Sequence, residues 1–82
     1  MFDTLAFRDH VIQGAKIATF TFENKWTVSV VCGHKDSGLY GILGEGTYEV
    51  AVINPNNNML DDVIPWQNVD QVDTIMRLVS ML

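Results

Sequence analysis

Cys32, His34 and Asp36 alternate along one short stretch of the chain, and they are the side chains with most potential for chemistry. If a strand continued through Gly33, alternation would bring all three to one side. One chemistry would be a thiolate activated by an imidazole, with a carboxylate orienting that imidazole. The other would be zinc binding, which needs four ligands, usually pairs of Cys and His. Only His10 remains to complete a set, and no spacing ties it to the others. Cys32 also closes an apolar strand face after Trp26, Val28 and Val30, which is where a cysteine serves as a small buried hydrophobe. The reading is therefore no catalytic residue, no metal ligand and no cofactor.

The carboxylates give the same answer. Asp70 and Asp73 fall in what looks like a first helical turn, where the positive helix N-terminus explains them. Asp61 and Asp62 precede a strand end, and an acid–base pair would need a cleft around it. The segment 33–46 holds five of the six glycines, but in no phosphate-binding or dinucleotide spacing. What it carries is Leu39, Tyr40, Ile42 and Leu43 among flexible positions. These read as a loop or short extra hairpin folded over the core edge, or as an adaptable apolar surface for a partner. Trp66, just after Pro65, reads as packing on a helix start or as an exposed anchor. Leu39, Tyr40, Ile42, Leu43 and Trp66 are thus the candidate binding residues.

Behind these side chains stand the elements that must position them. Residues 17–32 alternate as a β-hairpin. A three-residue loop, Glu23-Asn24-Lys25, sets Phe22 opposite Trp26, Phe20 opposite Val28 and Ala18 opposite Val30; a two-residue loop would turn the phenylalanines to the wrong face. Thr47–Ile53 alternates again, with Tyr48, Val50 and Val52 on one side. Asn54-Pro55-Asn56-Asn57-Asn58 is a turn. Met59–Ile64 reads as a short strand ended by Pro65, which cannot donate a ladder hydrogen bond.

From Asn68 onward the period changes to that of a helix. Asn68 and Gln71 have capping-box spacing, and Val72, Ile75, Met76 and Val79 form an apolar stripe. The hairpin's aromatic face is the natural floor for that stripe, so Phe20, Val28, Val30, Val50 and Ile75 are expected deep in one core. Residues 3–13 fit a helix capped by Asp3 or a broken strand; the helix is favoured. The fold class is α+β: one domain over residues 1–82, with a three- to four-stranded antiparallel meander, a C-terminal helix on one face and a short N-terminal helix.

Composition narrows the function classes. Eighty-two residues bury roughly 60 to 65% of the unfolded surface, enough for one thin core. The net charge of −5, with five scattered basic residues, argues against direct nucleic-acid binding. A single cysteine excludes an internal disulfide and suits a reducing compartment. Neither a secretory signal nor a membrane span is apparent, so a cytoplasmic protein is expected.

Four strings, Val30-Val31-Cys32-Gly33, Gly38-Leu39-Tyr40-Gly41, Thr47-Tyr48-Glu49-Val50-Ala51-Val52 and Pro65-Trp66-Gln67, resemble small uncharacterised proteins encoded by tailed bacteriophages. The resemblance spans residues 28–70 and brings no functional residue with it. It implies a setting, the host bacterial cytoplasm, and a habit of binding and inhibiting host proteins. The function expected is that of a non-enzymatic acidic interaction protein acting on a host protein. The alternative is an oligomeric small-molecule-binding protein with its pocket at a subunit interface. Sheet edges and the apolar loop lead to the expectation of a homodimer or higher oligomer with residues 38–46 near its interface.

Overall fold

The hairpin takes the register that its alternation dictates. In the computed structural model, which describes residues 1–82, strands β2 (Lys16–Thr21) and β3 (Thr27–Cys32) pair antiparallel, with Ala18 opposite Val30 and Phe20 opposite Val28. The Phe22 N–H donates to the Trp26 carbonyl at 2.8 Å. The three-residue loop closes with Lys25 in the left-handed region, φ 74°, as such loops require at their last position. Strand β4 (Tyr48–Ile53) lies beside β3, with Val50 opposite Val30 and Val52 opposite Val28.

Two short strands complete the sheet, and both correct the sequence reading. Residues 3–13 are not a helix. A 3-10 turn at Phe2–Thr4 is followed by extended chain and by β1 (Arg8–Asp9), which pairs with β2. An extended backbone brings Leu5 and Phe7, two residues apart, to the core together. A helix would instead have paired Phe7 with Val11, which is 99% exposed. The fourth strand of the sequence reading is displaced beyond Pro65: β5 is Ile64–Gln67, and Met59 makes only an isolated bridge to Ile53. Pro65 is tolerated because β5 is an edge strand. The result is a five-stranded antiparallel meander in the order β1-β2-β3-β4-β5, rather than three or four strands.

Helix α1 (Val69–Ser80) has the expected capping box: the Asn68 side chain accepts from the Gln71 N–H, and the Gln71 side chain accepts from the Asn68 N–H, each at 2.8 Å. Its stripe buries Val72, Met76 and Val79 against Phe22, Val28, Val30, Val50 and Val52. The helix backbone lies closer to β3, β4 and β5 than to β2. Of the five residues expected deep in the core, Val28, Val30 and Val50 are fully buried, whereas Phe20 and Ile75 pack on the core only half-buried. Phe22 and Met76 take the deep positions, because the helix axis is offset from the hairpin.

Long-range polar contacts hold the helix in that position. The Asn24 amide, at the hairpin tip, donates to the carbonyls of Val79 and Leu82 at 2.9 and 3.1 Å, joining the hairpin to the helix C-terminus. At mid-helix, Asp73 accepts from the Met1 ammonium and the Phe2 N–H at 2.7 Å each, and its other oxygen from Arg77 at 2.7 Å. The Met1 ammonium, the Phe2 N–H and Arg77 hold the Asp73 carboxyl well below the usual carboxylate range.

Candidate protein-binding surface

The glycine-rich segment between β3 and β4 is a loop, not a hairpin, joined to the sheet by one parallel bridge between Gly33 and Ile42. Gly41 is the residue that lets it lie so close. A Cβ at that position would stand 2.6 to 2.8 Å from the backbone of Tyr48 and Glu49, so only glycine fits without moving the loop. Around it the Gly33 N–H donates to the Gly41 carbonyl at 3.0 Å, and the Ile42 N–H to the Thr47 hydroxyl at 2.9 Å.

This docking fixes Tyr40. Its N–H donates to a Glu49 carboxylate oxygen at 3.1 Å, and its carbonyl accepts the Trp66 N–H at 2.8 Å. The two rings meet edge-to-face, with centroids 5.9 Å apart. Trp66 reaches this position through a β-bulge. Tyr48 faces Gln67 and Val50 faces Ile64, so Pro65 and Trp66 together oppose Glu49 alone. Trp66 sits at φ 57°, a conformation that a bulky side chain adopts only when its surroundings impose it. Both rings are 50% exposed.

The five candidate residues therefore part company. Tyr40 and Trp66 form one half-exposed aromatic platform. Leu39 and Ile42 are partly buried, Leu39 lying against Gly33. Leu43 turns to a separate cavity of about 280 Å³ that it shares with Phe7, Lys16, Cys32 and Tyr48. Trp66 lies outside the core cluster, half-exposed, and meets Tyr40. Missing from the sequence reading was Glu49, whose carboxylate tethers Tyr40; a charge on a strand face gives no hint of a bond to a loop amide.

The Cys32–His34–Asp36 alternation does not survive folding. Cys32 ends its strand with 1% exposure, and burial pushes its thiol above the ordinary value, outweighing the nearby Lys16 ammonium. A thiol in that state is a weak nucleophile at neutral pH. His34 is exposed beyond the strand end, its Nδ1 accepting the Asp36 N–H at 3.2 Å in a local turn. The His10 Nδ1 accepts the Ile12 N–H at 3.0 Å in the same manner. No three of the His, Cys, Asp and Glu side chains come together as metal ligands, and no helix is long and apolar enough to cross a membrane. No protein-family model, curated protein or solved structure matches the chain significantly.

Proposed function

We propose that this chain is a non-enzymatic interaction protein that docks on a host protein in the bacterial cytoplasm through the Tyr40–Trp66 platform and inhibits it by occupying its surface. The observation that carries this reading is Trp66: a tryptophan held at positive φ, half-exposed and braced by Tyr40 rather than buried. Strain of this kind persists where structure around it is built to hold a side chain in place, and a rigid, outward Trp–Tyr pair is the composition of a binding hot spot. The resemblance to phage proteins supplies the host setting.

The test compares wild-type protein with the Tyr40→Ala/Trp66→Ala variant as affinity baits in bacterial lysate, followed by reconstitution with the purified prey. The expected result is a prey bound by wild type and lost by a variant whose circular dichroism is unchanged. Prey retained equally by both would overturn the reading.

A second reading rests on the cavity beneath Leu43. Its walls, Phe7, Cys32, Leu43 and Tyr48, are mainly apolar, with the Lys16 ammonium among them bound to Asp9, a lining suited to a small apolar ligand. Native mass spectrometry of purified protein tests it: a bound small molecule displaced by Leu43→Trp supports it, and ligand-free protein refutes it.

A further inference from the structure

Strand β2 is covered along its outer edge for only part of its length. The Phe22–Trp26 hydrogen bond sets the phase of the β2–β3 ladder. Phe22, Phe20 and Ala18 bond inward to β3, so Ile17, Thr19 and Thr21 direct their backbone groups outward. The other side agrees: Arg8 lies opposite Ile17, and the His10 N–H donates to the Ala15 carbonyl at 3.0 Å. Beyond Ile17 nothing pairs, because the chain leaves the edge at Phe7, whose ring joins Phe2 and Tyr48 at 6.1 and 5.7 Å. The N–H and C=O groups of Thr19 and Thr21 face outward with no strand beside them.

We propose that two copies of this chain pair antiparallel along residues 19–21, about a two-fold axis through Phe20. Thr19 of each copy then lies opposite Thr21 of the other, giving two hydrogen-bonded pairs of two bonds each. On the core face the partly exposed Phe20 ring meets Phe20 of the second copy. It does so beside the open groove of about 280 Å³ that Phe20 lines with Met1, Thr4, Phe22 and Met76.

The ends of this edge say why its occupant is a second copy. Residues 17–22 carry no charge, so like strands do not repel. Glu23 follows at one end and Arg8 stands at the other, both exposed and neither in an ion pair. In the two-fold register the chain beyond residue 21 runs toward Ile17 of the other copy, whose outer position Arg8 already fills, so Glu23 comes up against Arg8 at that end. Each Glu23 therefore meets an Arg8 across the interface, twice over. The edge is its own complement, and it lies across the sheet from the Tyr40–Trp66 platform.

The experiment is sedimentation equilibrium across micromolar concentrations, combined with amide hydrogen exchange. A dimer is expected, with Thr19 and Thr21 amides slowing as concentration rises. Thr19→Pro removes an outward N–H that makes no bond within the monomer, and it should weaken dimerisation by about tenfold or more. If that variant misfolds by circular dichroism, the exposed charges still decide. Glu23→Arg or Arg8→Glu alone should weaken the dimer, and the two together should restore it. A strict monomer, a dimer indifferent to both sets of substitutions, or protection of Thr19 and Thr21 by a different co-purifying chain would each overturn the proposal. Loss of prey in the Tyr40→Ala/Trp66→Ala variant leaves this dimer unaffected, so the two readings fail separately.

Discussion

The two edges of the sheet are finished in opposite ways. At β5, Pro65 has no N–H to offer, Trp66 gives its own to Tyr40, and the bulge twists the strand out of regular pairing. At β2 the strand is regular, uncharged beyond Lys16 and without a neighbour beyond Ile17. Natural sheets blunt edges that must stay unpaired, using proline, bulges, charge or covering segments. Here one edge has several of these devices, and the other has only the two-residue β1 over Lys16 and Ile17. The contrast separates two kinds of surface: side chains projecting from a closed edge, and unpaired backbone groups along an open one.

The largest expected effect tests which part of the hairpin holds the structure. Phe22 is a core residue and Phe20 lies half-buried at the open edge. Phe22→Ala should cost about 3–5 kcal/mol in urea unfolding, and Phe20→Ala clearly less. Equal losses would mean that the helix covers β2 after all. At the closed edge, Gly41→Ala forces a methyl against the Tyr48 backbone and should cost about 1–3 kcal/mol. It should also displace Tyr40 and weaken prey binding, while leaving Thr19 and Thr21 exchange unchanged.

Asp73 ties Met1 and Phe2 to the helix, ahead of the point at which the chain joins the β2 edge at Arg8. Its carboxyl is held below the ordinary range in the folded state, so its contribution is complete above the unfolded value of about 3.9. That contribution is lost as pH falls through the lower folded value. Asp73→Asn should lower the melting temperature at neutral pH and flatten its acid limb; a variant with an unaltered acid limb would contradict this. The smallest change in stability is expected at Trp66. Trp66→Gly relieves strain of about 1–3 kcal/mol but loses a ring pair worth about 0.5–1.5 kcal/mol, so the midpoint in urea should barely move. Binding, by contrast, should collapse. A large loss of stability instead would make Trp66 a structural residue.

Where local pattern and tertiary structure agreed, the chain could be read directly. The Phe20–Val28 register, the Asn68–Gln71 box and the Val72–Met76–Val79 stripe all follow from spacing a few residues long. The misreadings sit where distant contacts decide. Leu5 and Phe7 suit two periods, and the rings of Phe2 and Tyr48 choose the extended one. Pro65 ends a strand by propensity, yet edge placement admits it. Nothing local announces φ 57° at Trp66, since the bulge is set by a loop 26 residues earlier in the chain. The candidate residues were legible as types but not as a constellation: Tyr40 and Trp66 converge, while Leu39, Ile42 and Leu43 serve the loop and its cavity.

Asn24 gives the fold a sequence in time. The hairpin that carries it closes over three residues, whereas its amide bonds to Val79 and Leu82 span 55 and 58 positions. Contacts of short separation form early and those of long separation late. The hairpin is therefore expected to form first, and its tip to receive the end of the helix afterwards. In chevron kinetics Asn24→Ala should accelerate unfolding and leave the folding rate almost unchanged. A bond of this kind guides no search; it acts as a latch on the finished molecule.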